Sequence, residues 1–322
     1  MTFDVSRLMD GTRNELGLSV ANFTPGQDLE IPVHVMAGRG SATVFVCIAG
    51  VHGDEAEGIL ALLDLWHALE PSELTGRLVL VPVANPPAFA ADRRTSPADG
   101  ADLNRSFPGR DDGQPSQRLA SELLRAVVRP ADLVFSLHSW YSSGLTENFI
   151  ESPAPTGKAA QFALRAACAS GFPIVRITDW PEGLLGRVAV GEGIPSIEGE
   201  IGGLGRSMPE NRRSYCTYIR RLMAFLGMTS ASVPAADPPR FCTAQHVIAR
   251  HAGILRLQTE LGASVSAGQE LATILDLRGR SVAPVLAPIP GRVGAHRMHA
   301  SVQPGDNLFT IFQPKEVQPA AT

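Results

Sequence analysis

Lysine is nearly absent from this chain. Only Lys158 and Lys315 occur among its 322 residues, so arginine carries almost all of the positive charge. The formal net charge is −4, which excludes the basic stripe that nucleic-acid binding requires. Cysteine is scarce as well. Cys47, Cys168, Cys216 and Cys242 show no C-x-x-C spacing, so neither a zinc knuckle nor a disulfide framework is expected. Long hydrophobic runs are missing: 43–51 and 77–84 are far too short to span a bilayer. The start, MTFDVSRLMDGTRNELG, lacks the apolar core of a signal peptide. The expectation is a cytoplasmic protein with no nucleic-acid or membrane partner. Familiar catalytic signatures are missing too: G-x-S-x-G, a strand-following G-x-G-x-x-G, and H-E-x-x-H.

What is present is a regular alternation of short apolar runs and longer helical patterns. TVFVCIAGV (43–51), RLVLVPVAN (77–85), ADLVFSLHS (131–139), FPIVRIT (172–178) and IPSIEGEIG (194–202) read as strands. Helical periods cover 54–69, 115–128, 156–171 and 209–227, the last with Tyr215, Tyr218, Ile219, Leu222 and Leu226 on one face. Near-continuous apolar strands between helices imply an α/β fold, a mostly parallel or mixed central sheet with helices on both faces. Segments 139–155 and 178–192 read as loops walling a pocket.

The composition changes at MTSASVPAADPPR (228–240), which suits an exposed linker. The expected division is a catalytic domain over 1–230, a linker over 231–240 and a C-terminal β domain over 241–322. Two phrases in that last part echo each other, GASVSAGQELATI and HASVQPGDNLFTI, which suggests a small pseudo-duplicated barrel-sandwich.

In parallel sheets ligands bind beyond the carboxyl ends of the strands, and polar residues collect there. His52 and Glu55 follow the first strand, Asn104 and Arg105 lie in the loop after 77–85, His138 ends 131–139, and Glu200 ends 194–202. A His-x-x-Glu pair and a distant histidine make a His₂Glu donor set, which suits catalytic zinc. The spacing alone leaves a plain helix start open, and Asp54 and Glu57 read as a capping box for helix 54–69. His34, His67, His246, His251, His296 and His299 have no acidic partner in sequence, so surface or packing roles are expected for them.

AGVHGDEAEG, ADLNRSFPG, ADLVFSLHS and GIPSIEGEIGG occur in that order. Together, over roughly residues 30–227, they resemble the succinylglutamate desuccinylase/aspartoacylase family of the zinc carboxypeptidase superfamily. The resemblance implies one zinc per chain, held by His52, Glu55 and His138. It implies that Asn104 and Arg105 grip a substrate carboxylate, that Arg94 polarises the scissile carbonyl, and that Glu200 activates the water presented by the zinc. The family phrase G-I-P-x-x-T-x-E-x-G-G puts its threonine where this chain has Glu198, which is therefore the rival carboxylate. Arg93 is the rival of Arg94. Trp140, Tyr141 and Ser142 follow His138 and are candidates for the pocket wall.

The activity implied is hydrolysis of the amide bond of a small carboxylate-bearing N-acyl amino acid, with N-acetyl-diaminobutyrate deacetylases as one version. A metallocarboxypeptidase and a non-catalytic metal- or ligand-binding protein are the alternatives. A homo-oligomer is left open. Residues 241–314 also resemble a biotinyl/lipoyl carrier barrel, but they contain no lysine for cofactor attachment, so a swinging-arm role is rejected.

Overall fold

The computed structural model describes residues 8–234 and 236–317. The first strands, β1 (Thr12–Thr24) and β2 (Gln27–Ala37), form an antiparallel hairpin. The alternating unit follows: β3 (Val44–Ile48), α1 (Ala56–Ala68), β4 (Arg77–Val81), the short α2 (Pro86–Ala90) and α3 (Pro115–Leu123). Then come β5 (Leu133–His138), β6 (Gly144–Pro153), α4 (Lys158–Ser170), β7 (Ile174–Thr178), α5 (Leu185–Gly191), β8 (Ser196–Gly203) and α6 (Pro209–Phe225).

The C-terminal part is all β: β9 (Arg240–Ile248), β10 (Gly253–Leu257), β11 (Ser264–Val265), β12 (Glu270–Leu275), β13 (Ser281–Leu286), β14 (Gly291–Arg297), β15 (Ser301–Val302) and β16 (Asn307–Pro314).

The large sheet has twelve strands in the order β1-β2-β4-β3-β5-β8-β6-β7-β9-β16-β14-β11. It is mixed. Pairing is parallel through β4, β3, β5 and β8, and again through β6, β7 and β9, and antiparallel elsewhere. The central strands bury both faces, as their apolar runs require. Along β3, Phe45 and Cys47 join one core with α1, α4 and α6, whereas Val44, Val46 and Ile48 join a second core with α3, α5 and the β1–β2 hairpin. Strand alternation makes this division.

The C-terminal strands carry a small core of their own, including Leu271, Val293, Phe309 and Ile311. They also continue the large sheet, because β9 pairs in parallel with β7 and β14 pairs with β6. The segment read as a linker thus ends where Arg240 enters β9. The two echoing phrases fold alike: β11 and β15 are each followed by a glycine turn (Gly268, φ +81; Gly305, φ +97) and a longer strand, β12 or β16.

Three readings need correction. Segment 139–155 is largely strand β6, and 178–192 contains helix α5. The capping box is also absent. Helix α1 begins after Glu55 without a side-chain cap, and Glu57 instead accepts from Asn211 of α6 at 3.2 Å. Leu103–Arg105 is a 3₁₀ turn, and the helix read over 115–128 ends in a π turn, Leu124–Val128. Among the described residues no helix is long and apolar enough to cross a membrane.

Candidate active site

The parallel block delivers the carboxyl ends of β3, β4, β5 and β8 to one edge. His52 lies in the turn after β3, Glu55 just before α1, and His138 is the last residue of β5. All three are buried, and their ligand atoms lie within 4.8 Å of one another. The Nδ1 atoms of both histidines converge on the Glu55 carboxylate, His52 at 2.7 Å from Oε1 and His138 at 2.9 Å from Oε2. Each ring is held from behind. Nε2 of His52 is 3.1 Å from Asp102 Oδ1, and Nε2 of His138 is 2.8 Å from Ser136 Oγ. The Asp102 carboxylate only accepts, so it draws the His52 proton to Nε2 and leaves Nδ1 for a metal, and the Ser136 hydroxyl is able to accept the corresponding proton of His138. Two imidazoles and one carboxylate, oriented in this way, fit a metal ion with an open coordination position.

Burial works against charge on all three groups, yet their mutual attraction prevails. It raises the pKa of His52 and His138 and holds Glu55 far below the carboxylate range. Asp102 follows the same pattern. Burial opposes its ionisation, but the hydrogen bond and charge of His52, then Arg94 and Arg105, pull its pKa well down.

Arg94 sits beside this centre. Its Nη2 is 3.0 Å from Asp102 Oδ2, its Nη1 is 3.4 Å from Glu55 Oε1, and its guanidinium lies 5.0 Å from the Tyr141 ring centroid. Arg93, by contrast, is exposed, and its carbonyl accepts from the N–H of Gly53. Asn104 is buried and its Oδ1 accepts from the Leu185 N–H at 2.9 Å. That leaves only its NH₂ group to donate into the cleft. Arg105 also lines the cleft, its side chain bonded to the neighbouring Asn104 carbonyl.

The cleft has a volume of about 360 Å³, and Glu198 and Glu200 form part of its wall. In the register of β5 and β8, His138 is opposite Glu200 and Ser136 opposite Glu198. Glu200 has its pKa raised well above the usual carboxylate value, first by burial and then by the nearby Glu55 charge, with His138 opposing. Glu198 is pushed up to about 7, mainly by burial, with His138 pulling down and Glu151 pushing up. Trp140 and Tyr141 also line the cleft, and Tyr141 holds a positive φ of 30°.

Residues 42–226 match the model of the succinylglutamate desuccinylase/aspartoacylase catalytic domain. Over 296 residues the chain is 34% identical to the N-alpha-acetyl-L-2,4-diaminobutyric acid deacetylase of Halomonas elongata, covering 88% of this chain and 85% of that protein. The chain belongs to the succinylglutamate desuccinylase/aspartoacylase family.

Two solved structures share the whole fold. The product-bound ectoine utilization protein EutE (DoeB) of Ruegeria pomeroyi superimposes with a TM-score of 0.87 at 27% identity, covering 97% of each chain. A succinylglutamate desuccinylase/aspartoacylase from Rhodobacter sphaeroides gives 0.86 at 27% identity, covering 97% of this chain and 98% of its own. These likenesses extend through the C-terminal strands, beyond the catalytic region matched by the family model.

Asp102, beside the cleft, and Arg176 and Ala244 of its wall are not marked in the sequence reading, and His246, expected only in a surface or packing role, also lines it. Asp102, two positions before Asn104, joins His52 to Arg94; its place in the phrase DLNR was the available signal. His246 of β9 lines the cleft from the C-terminal part of the chain, close to Arg176 and Glu151. No local pattern marks it, because pairing of β9 with β7 brings it there.

Proposed function

We propose that the protein is a zinc-dependent amidohydrolase that removes the acyl group from an N-acylated amino acid. The observation that carries this reading is the meeting of His52, Glu55 and His138 with Glu200, Arg94 and Arg105 in one cleft. Family membership and the 34% identity to a deacetylase of N-alpha-acetyl-L-2,4-diaminobutyrate support it.

His52, Glu55 and His138 would hold the zinc, which supplies a Lewis acid for the acyl oxygen and favours deprotonation of water. Arg105 presents a planar fork to the substrate carboxylate, which Asn104 assists with its NH₂ group. Arg94, tied to Asp102, directs positive charge at the acyl oxygen as negative charge develops there. Glu200 removes a proton from the attacking water. The water oxygen bonds to the acyl carbon, the carbon–nitrogen bond breaks, and Glu200 returns the proton to the departing amine.

The test is a hydrolysis screen with zinc-loaded protein on N-acetyl and N-succinyl amino acids alongside dipeptides. We expect close to one zinc per chain and release of free amine from an N-acyl amino acid. Glu200→Gln should keep the zinc and lose about 10²- to 10⁴-fold in kcat. Cleavage of dipeptides alone would instead mark a carboxypeptidase, and full activity without metal would end the mechanism.

A further inference from the structure

Two carboxyl groups of the cleft, Glu198 and Glu200, each have a buried oxygen that no partner meets among the described residues, and only Glu200 has a role in the reading above. Strand register sets Glu198 beside Ser136 on one side and Glu151 on the other, and Glu151 beside Arg176. Glu151 is fully engaged. Its Oε1 lies 3.0 Å from Arg176, and its Oε2 accepts from the Trp180 indole N–H at 2.6 Å. Glu198 is not. It is 5% exposed, and its Oε1 is buried with no hydrogen-bond partner among the described residues. Its Oε2 reaches only His138 Nε2, at 4.0 Å, a nitrogen already 2.8 Å from Ser136 Oγ.

The cations near the cleft are committed elsewhere. Arg176 pairs with Glu151, and Arg94 with Asp102 and Glu55. Arg105 is taken by the substrate carboxylate in the reading above. A buried carboxylate is costly unless a partner neutralises it, and the row from Ser136 to Arg176 is one positive charge short.

The surroundings of Glu198 also suit a particular partner. A Cβ added to Gly186 would lie 3.3 Å from Glu198 Oε1 and 3.0 Å from the six-membered ring of Trp180. Glu198 Oε1 and the Trp180 ring thus pack against the same residue, and both side chains line the cleft, where a carboxylate and an indole together can attract an ammonium. Glu198 and Glu200 are two residues apart on one strand. They share a face and are spaced by roughly 7 Å at ordinary strand rise. A group working at the amide nitrogen and a group holding the end of a short side chain need about that separation.

We propose that Glu198, beside Trp180, is the specificity subsite of this cleft and binds the side-chain ammonium of an N-acylated diamino acid. The proposal rests on the deacylase reading and adds the sign of the side-chain charge. An anionic side chain, as in N-acylaspartate, would meet Glu198 with like charge and be rejected. The threonine of the family phrase could not make this distinction.

The test compares Nα-acetyl-2,4-diaminobutyrate with its uncharged counterpart N-acetylnorvaline on the zinc-loaded full chain. The wild type should prefer the diamino substrate in kcat/KM by about 100-fold, and Glu198→Gln should reduce that preference to a few-fold. Glu198→Asp, which retains the charge, should keep part of it. Equal handling of both substrates by the wild type overturns the proposal. So does a Glu198→Gln variant that loses both activities in equal proportion or loses its zinc, since Glu198 would then serve catalysis or His138. Calorimetric binding of free 2,4-diaminobutyrate and norvaline separates this inference from the activity. If no acylated amino acid is turned over, the deacylase reading fails. A binding preference for the diamine that disappears in Glu198→Gln still supports the subsite, and lack of any preference refutes it.

Discussion

At the scale of single residues, Asp102 has the widest reach relative to its size. One carboxylate holds the back of His52 and the guanidinium of Arg94, and it also accepts from the Asn104 N–H at 2.8 Å. Partners behind a ligating histidine orient the ring and raise its basicity. Asp102→Asn should therefore weaken zinc binding by about 10- to 100-fold, measured by competition with a chelator. The substitution also removes a carboxylate whose pKa is depressed in the folded state. Such a group stabilises the fold above its unfolded pKa, near 3.9, and loses that contribution as pH falls through its folded value. The difference in melting temperature between wild type and Asp102→Asn, measured without zinc, should be present at neutral pH and shrink progressively as pH falls below about 4. A difference that does not change with pH would show that the ion pairs of Asp102 contribute nothing to stability.

At the scale of elements, the ligand turn between β3 and α1 depends on a close approach by its neighbour. A Cβ at Gly53 would lie 2.1 Å from the carbonyl group of Ala88 and 2.3 Å from the Phe89 nitrogen, so α2 presses directly on the turn that holds His52. Gly53→Ala must push α2 or the turn aside, at a cost of about 1–3 kcal/mol. Because His52 and Glu55 flank the displaced residue, zinc affinity should fall with melting temperature. Gly191, at the end of α5, has open space around it and no positive φ. Gly191→Ala is the control and should be neutral or slightly stabilising. If both variants behave alike, the α2 contact does not constrain the turn.

The same scale explains what the sequence made legible. Strands β3, β4, β5 and β8 are buried on both faces, so their apolar runs stand out and their ends lead to His52, His138 and Glu200. Strand β6 was read as loop because Thr146, Glu147, Asn148 and Glu151 break its apolar run. Glu151 is polar because it faces the cleft, and Glu147 pairs with Arg292 across the C-terminal strands at 2.7 Å. Function and long-range pairing erased the local signal. In the β1–β2 hairpin, buried Leu18 and Val20 alternate with exposed Ser19, but two consecutive exposed residues, Ala21 and Asn22, break the alternation and weaken the strand signal.

At the scale of the whole molecule, the question is whether the C-terminal strands form a separate domain or the far side of one folded body. Composition argued for division at 231–240. The hydrogen bonding argues for continuity, since β9 covers the edge of β7 and β14 holds β6. A shared apolar cluster spans the junction. Trp140 and Phe149 from the cleft side pack with Cys242, Ala295 and Phe312, and the Phe149 and Phe312 rings stand edge to face at 5.2 Å. The N–H of Met298 also donates to the Ser143 carbonyl at 2.7 Å, tying down the loop that carries Trp140 and Tyr141. Coupling of this kind should produce cooperative unfolding despite the separate small core. We expect one calorimetric transition for the intact chain, with calorimetric and van't Hoff enthalpies in agreement. Phe312→Ala should lower the stability of the whole by about 3–5 kcal/mol while keeping a single transition. If the mutation instead splits the melt, with the C-terminal strands unfolding first and zinc retained, the sequence-based division is the correct one. The cleft would then be complete without His246 and the strands that bring it there.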